Sequence, residues 1–169
     1  MLRVYLGLGS NLGARAHNLA RALLRLALEP GIELARLSPV YETAPWGVTD
    51  QPNFLNMAAE VRTVLAPLEL LGRAKEIERA VGRQPGVRWG PRVVDIDLLV
   101  ALGVALASDD LTLPHPHLAE RQFVLVPLAD IAPDVNLGDG RTPRQLARPH
   151  DPSLALVGPL AEALRRDRR

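Results

Sequence analysis

Apolar and polar residues alternate at the start of the chain, where Val4, Leu6 and Leu8 are separated by Tyr5 and Gly7. That period of two predicts a strand over Leu2–Leu8. The period then lengthens. Leu19, Leu23 and Leu26 share one face of a helical pattern and Arg21 and Arg25 point away, so Ala16–Leu28 reads as a helix stopped by Pro30-Gly31. Ile32–Tyr41 reads as a strand, with Ser38-Pro39 predicting an edge or a bend inside it. Thr43–Asn53 carries Pro45, Gly47 and Pro52 and reads as loop. Leu55–Val64 alternates again, with Met57, Ala59 and Val61 on one face. Pro67 suits the first turn of a helix. Leu68, Leu71, Ile77 and Val81 mark the buried stripe of that helix, and Gly82 ends it. Arg92–Leu102 is a strongly apolar strand.

Strand, helix, strand, strand, helix, strand is the order of the ferredoxin-like split βαβ arrangement. It predicts an α+β fold: a βαββαβ core with an antiparallel sheet and helices packed on it. A proline-rich stretch of short elements follows. It holds a turn at Leu113–His117, short helices near Phe123–Asp130 and Pro143–Ala147, and a last helix near Pro159–Arg166. With 169 residues the chain is expected to be one domain, with a core over 1–150 and a basic C-terminal tail over 151–169.

Composition narrows the chemistry. Cysteine is absent, which removes disulfides, thiolate zinc sites and cysteine nucleophiles. Twenty basic against nineteen acidic side chains leave a net charge of +1, so no global basic field argues for nucleic acid. The longest apolar run, Leu98–Ala107, is far short of the ~20 residues that span a bilayer. Gly7, Ser10 and Asn11 stand where the apolar region of a secretory signal belongs, which predicts a cytoplasmic protein. All basic residues but Lys75 are arginine, the side chain that grips phosphate or carboxylate in a planar fork.

Two phosphate-binding motifs fall away. The run Gly7-Leu8-Gly9-Ser10-Asn11-Leu12-Gly13 has its third glycine one position too late for a dinucleotide fingerprint, and it reads as a tight strand-to-helix turn. No Gly-Lys-Ser/Thr exists, so there is no P-loop. His115 and His117 lack a third soft ligand nearby and read as turn histidines.

Asp95-Ile96-Asp97 is the sharpest local feature. On a strand, residues i and i+2 face one side, so both carboxylates project together while Val94, Ile96 and Leu98 enter the core. Like charges side by side repel unless a cation joins them. Paired hard oxygens suit Mg²⁺, which takes its other ligands from water and phosphate. Arg83, Arg88 and Arg92 lie just upstream, either as ion-pair partners or as phosphate clamps. Of six aromatic residues, Trp46, Phe54, Trp89 and Phe123 fall in loops or at element ends. That placement suits a stacking site for a flat ring, with Asn56 close enough to read its edge.

The segment Arg88-Trp89-Gly90-Pro91-Arg92-Val93-Val94-Asp95-Ile96-Asp97-Leu98-Leu99 resembles the signature of the 6-hydroxymethyl-7,8-dihydropterin pyrophosphokinase family. The resemblance extends through Gly9-Ser10-Asn11-Leu12, Tyr41-Glu42-Thr43, Asp50-Gln51-Pro52, Phe54-Leu55-Asn56, Glu78 to Arg83, and Leu113-Pro114-His115 to Phe123. It covers roughly residues 1–150. It implies transfer of the diphosphate of ATP to the pterin hydroxymethyl group in folate biosynthesis, with AMP as the other product. It implies that Asp95 and Asp97 bind two Mg²⁺ ions and act together with Arg83 and Arg92 at the reacting phosphates. Thr43, Ala44, Pro45, Trp46, Phe54, Asn56, Trp89, Asp95 and Phe123 would form the pterin site. Lys75, Glu78, Arg83, Arg88, Trp89, Arg92, Leu98, Thr112, His115 and Arg121 would surround the nucleotide. ATP and the pterin are the implied partners, with no nucleic acid, membrane or obligate protein partner.

The chain departs from the family pattern in places. Pro116 stands where some members carry tyrosine, Asp110 where some carry a basic residue, and the 84–88 loop is short, with Pro85-Gly86. Two other readings stay open on sequence alone. One is an RNA-recognition module, which shares the element order but needs aromatics on its central strands. The other is a catalytically dead scaffold that binds pterin or nucleotide.

Overall fold

The computed structural model describes residues 1–86 and 90–167. The elements follow one another as β1 (Leu2–Ser10), α1 (Arg15–Leu28), β2 (Ile32–Leu37), β3 (Val40–Thr43), β4 (Phe54–Thr63), α2 (Pro67–Val81) and β5 (Asp95–Ala101). A small hairpin, β6 (Leu106–Ala107) and β7 (Thr112–Leu113), then leads to α3 (Gln122–Ile131), α4 (Pro143–Leu146), β8 (Leu154–Gly158) and α5 (Leu160–Arg166).

The main sheet runs β5-β1-β4-β3-β8, with β2 also paired to β4. The strand expected over Ile32–Tyr41 breaks at Ser38-Pro39. Its halves pair with successive stretches of β4, Ile32–Leu37 against Ala59–Thr63 and Tyr41–Thr43 against Phe54–Asn56. Ser38 spans the break: its backbone N–H donates to Ala58 O (2.9 Å) and its Oγ accepts from Ala58 N–H (2.8 Å). With β2 and β3 counted as one bent strand, the antiparallel order is that of the split βαβ fold.

The two faces of the sheet carry separate cores. Val4, Leu6, Leu8, Met57, Ala59, Val61, Ile96 and Leu98 pack against Leu19, Leu23 and Leu26 of α1 and Leu70, Ala74 and Ile77 of α2. In α2 the expected Ile77 and Val81 are buried, but the first turns differ: Leu70 and Ala74 are inside, Leu71 is half-buried and Leu68 is exposed. Leu68 lies about 200° round the helix from Leu70 and so faces away from the stripe that Leu70 shares with Ile77 and Val81. Glu69 reaches back from the first turn to accept the Ala66 N–H (2.8 Å). On the opposite face Tyr5, Ala58, Leu99 and Val100 pack under Leu125, Leu128 and Ile131 of α3. Tyr41 fastens α3 to β3 by donating its hydroxyl to Asp130 (2.7 Å). Burial, reinforced by Asp130, pushes the phenol well above its usual range.

Two elements were not foreseen. The β6–β7 hairpin is too short to show a period. The stretch expected as a basic tail supplies β8, whose Val157 enters the main core together with Ala163 of α5. Arg168 and Arg169 lie outside the described residues. No helix among the described residues is long and apolar enough to cross a membrane.

Candidate active site

The site lies on the face of the sheet shared with α3. Alternation directs Gly7 and Gly9 of β1, Asn56 of β4, and Asp95 and Asp97 of β5 to this face. The register sets Gly9 between Asn56 and Asp95, and Gly7 opposite Asp97. Two adjacent positions without side chains open a trough, with carboxylates on one bank and an amide on the other. The reading of these glycines as a strand-to-helix turn is corrected. Gly7 and Gly9 are strand residues whose role is space, and only Gly13 takes a left-handed conformation (φ 65°). A Cβ on Gly9 would stand 2.5 Å from Asn56 Oδ1. Gly9→Ala is therefore expected to keep the fold and to weaken at least tenfold the binding of the flat ring that the sequence resemblance implies for this trough, measured by titration of that ligand. Unchanged binding would show that the trough is not used.

Thr43, Ala44, Trp46, Phe54 and Phe123 complete the cavity, together with Arg92 and Arg121. Pro45 lies in the same loop but is not part of the cavity wall. Asn56 is buried and donates Nδ2–H to Thr43 Oγ1 (2.7 Å), which fixes the plane of its amide. The Arg121 guanidinium lies 4.6 Å from the Trp46 ring centre and 5.8 Å from that of Phe123. Its Nε is buried without a hydrogen-bond partner among the described residues. An unpaired cationic donor of this kind is costly unless an anion completes it.

The acids and arginines form one linked cluster. Arg83 donates to Asp95 (2.6 Å) and to Glu78 (2.5 Å), and Arg92 donates to the other oxygen of Asp95. Lys75 donates to Glu78 (2.8 Å), and Glu78 also accepts the Ile96 backbone N–H (2.7 Å). Glu78 thus lies beneath β5 as an anchor for its neighbours. Burial pushes the Asp95 carboxyl upward, but Arg92, Lys75 and Arg83 outweigh it and hold the group below the usual carboxylate range. Asp97 goes the other way: burial, and then the charge of Asp95, raise it to about 6. Among the described residues Asp97 has no ion pair, and no third carboxylate or imidazole joins the two acids. Two parallel hard-oxygen donors, one held against its charge, fit a divalent cation that completes its shell with water and phosphate.

Three loops meet at a residue whose role sequence reasoning missed. Asn11 is buried and donates Nδ2–H to Gln51 Oε1 (2.9 Å) and Pro52 O (3.0 Å). It accepts Arg92 N–H at Oδ1 (2.7 Å), and its own N–H reaches Arg92 O (3.0 Å). It therefore couples the loop after β3 to the approach of Arg92. An asparagine in a glycine-rich run looks like turn chemistry, and nothing local shows what it clamps.

The expected nucleotide residues divide. Lys75, Arg83, Arg92 and Arg121 converge on the acids. Leu98 points into the core. Thr112 and His115 line an adjacent cavity, bounded also by Pro114 and Leu137. The His115 N–H is held by Leu99 O (2.8 Å). Burial, then Arg121 and His117, lower its imidazole to about 4, so it is neutral at pH 7. Its Nδ1 accepts the His117 N–H (3.2 Å), which places the ring proton on Nε2. Arg88 and Trp89 lie outside the described residues.

Residues 5–133 match the family model of 7,8-dihydro-6-hydroxymethylpterin-pyrophosphokinase. The chain is 50% identical over 153 residues to the 2-amino-4-hydroxy-6-hydroxymethyldihydropteridine pyrophosphokinase of Methylorubrum extorquens, covering 90% of this chain and 96% of that one. It is 44% identical over 131 residues to the Bacillus subtilis protein of the same name, covering 78% of each. Over 128 residues it is 48% identical to the mitochondrial folate synthesis bifunctional protein of Pisum sativum, spanning 76% of this chain and 25% of that protein. Among solved structures, wild-type Plasmodium falciparum HPPK-DHPS with pteroate superposes with a TM-score of 0.66 at 16% identity. That match covers 86% of this chain and 43% of that chain, and it shows the shared fold.

Proposed function

Because this chain belongs to the 7,8-dihydro-6-hydroxymethylpterin-pyrophosphokinase family, we propose that its trough is where dihydropterin and ATP meet. The activity is transfer of the diphosphate of ATP to the hydroxymethyl group of the dihydropterin, a step of folate biosynthesis. One observation carries the placement: across two glycines, a single cavity faces an aromatic and amide niche on one side and a carboxylate pair flanked by arginines on the other.

The niche of Phe54, Trp46 and Phe123 would take the flat ring by stacking, with Asn56 reading its edge. The pterin hydroxymethyl group then points along the strip of glycines toward Asp95. Its oxygen, releasing its proton to water, bonds to the β-phosphorus as the bond from that phosphorus to the α–β bridging oxygen breaks, and AMP leaves. Such a reaction needs alignment and charge neutralisation more than a covalent nucleophile. Arg83 and Arg92 neutralise Asp95 in the free protein, and phosphate oxygens compete for the same guanidinium forks. Arg121 lines the same cavity, and its buried Nε donor is uncommitted among the described residues. Asp95 and Asp97 would hold Mg²⁺, two ions being expected; when bound, it neutralises the phosphate chain. Neutral His115 offers an Nε2–H donor on the nucleotide side.

The face of the sheet that an RNA-recognition module would use is covered by α3. The experiment is incubation of the protein with ATP, Mg²⁺ and 6-hydroxymethyl-7,8-dihydropterin, followed by identification of the nucleotide product. AMP is expected only when the pterin is present. ADP would overturn the reading. Phe123→Ala is expected to raise the KM for pterin at least tenfold and to leave the KM for ATP within about twofold.

A further inference from the structure

We propose that the C-terminal strand and helix, residues 151–167, brace the pterin loop and thereby set pterin affinity independently of ATP. The inference rests on the pterin site proposed above and assigns a function to a segment beyond the family-matched residues 5–133.

The loop between β3 and β4 supplies Ala44 and Trp46 to the cavity and is flanked by Thr43 and Phe54. Both of its ends are tied to the C-terminal segment. At the first end β8 pairs antiparallel with β3, placing Leu154 opposite Thr43, and Ala44 donates its N–H to Ser153 O (3.1 Å). Ser153 is itself fixed. Asp151 Oδ1 accepts both its N–H (3.0 Å) and its hydroxyl (2.6 Å), and Leu154 N–H closes the turn on Asp151 O (3.0 Å). The acceptor that holds Ala44 is therefore a rigid one.

At the second end Arg15, the first residue of α1, donates to Asn53 O (2.8 Å) and pairs with Glu42 (3.3 Å). Helix α1 has no capping side chain of its own, since Ala14 occupies that position. Asp167, at the end of α5, provides the cap from 151 residues away. Its Oδ2 accepts the N–H groups of Ala16 (2.8 Å) and His17 (3.3 Å) and lies 3.3 Å from His17 Nδ1. Capping of this kind fixes the start of the helix and so the root of Arg15. Val157 and Ala163, both buried, dock the whole segment on the main core.

The sheet order makes the effect one-sided. β8 is the edge strand beside β3, and β5 with Asp95 and Asp97 is the opposite edge. A disturbance at β8 reaches the pterin loop directly. Through the sheet it meets the phosphate side across β3, β4 and β1, and otherwise by way of the loop itself, through Asn11 to the Arg92 backbone and through Trp46 to Arg121.

Two full-chain variants test this. In Ala155→Pro, a proline in the middle of β8 cannot donate to a strand ladder, and because the side chain it replaces is exposed, no core cavity is made. Asp167→Ala removes the cap on Ala16 and His17 together with the contact to the His17 ring. Both are expected to raise the KM for pterin, about fivefold or more for Ala155→Pro and about threefold for Asp167→Ala. The KM for ATP stays within twofold in each. Hydrogen exchange at the Ala44 amide is expected to accelerate, a readout independent of activity. Faster exchange at Ala44 with unchanged pterin KM overturns the proposal, as does a parallel rise of both KM values. If Ala155→Pro fails to fold, Asp167→Ala decides alone. Failure of the wild-type chain to release AMP with pterin would instead overturn the underlying reading of the site.

Discussion

Replacing Asp97 by asparagine is expected to abolish turnover while making the metal-free protein more stable. The structure holds this carboxyl against its charge, by burial and then by Asp95, and raises it from 3.8 to about 6. The folded state therefore binds the proton more tightly than the unfolded chain. Below about pH 4 both states are protonated and the group costs nothing. As pH rises from 4 to 6 the unfolded chain releases its proton first and stability falls. Above pH 6 the full cost is in place, at most roughly 3 kcal/mol for a rise of this size. Asparagine keeps the shape and removes the charge. At pH 8 the melting temperature of the variant is expected to exceed that of the wild type by roughly 5 °C, with the gap closing toward pH 4. Turnover should fall at least a thousandfold, and Mg²⁺ should stabilise the wild type more than the variant. Retained turnover in Asp97→Asn would remove the proposed metal role. A melting temperature equal to wild type at pH 8 would remove the electrostatic account.

Glu78→Ala is expected to damage both stability and turnover, through groups that Glu78 itself holds. Its buried carboxylate receives Arg83, Lys75 and the Ile96 backbone N–H. Alanine would leave that buried N–H without its carboxylate acceptor and would leave Arg83 with Asp95 alone. Removing one partner of a buried ionic cluster costs about 3–5 kcal/mol, which would lower the melting temperature by roughly 10 °C. Glu78→Gln keeps an acceptor for Ile96 N–H, so it should recover most of the stability. It should not recover turnover, because Arg83 and Lys75, no longer drawn to a charged Glu78, then crowd Asp95 together with Arg92. Thermal melts of both variants alongside steady-state rates check this. Wild-type rates in Glu78→Gln would show that the charge of Glu78 plays no part in ordering the arginines.

Much of this was legible in the chain. Val4, Leu6 and Leu8, and likewise Met57, Ala59 and Val61, revealed which face of each strand is buried, because a strand's side-chain period is two wherever it lies. The same rule placed Asp95 and Asp97 together on one face. Pro67 and Gly82 marked the ends of α2 through backbone chemistry that needs no partner. The resemblance covering residues 1–150 reached the family and the residue types of the site. The buried face of α2 also had a local signature: Leu70, Ala74, Ile77 and Val81 stand four, three and four apart on one face, and Leu68 lies about 200° round the helix from Leu70. Other features had none. The bent strand could be expected from Ser38-Pro39, but its two separate pairings with β4 could not.

By itself the sequence determined the order of elements, the buried faces of the central strands and the chemical types gathered at the candidate site. All of these follow from side-chain period, backbone preference and residue identity, which act within a few residues. Only the tertiary structure decided that Gly7 and Gly9 make room between Asn56 and the acids, that Asn11 ties Gln51 to Arg92, and that Asp167 caps a helix beginning at Arg15. Each of those depends on strand register or on contacts across 40 to 151 positions of chain. Distance in sequence carries no local trace of them.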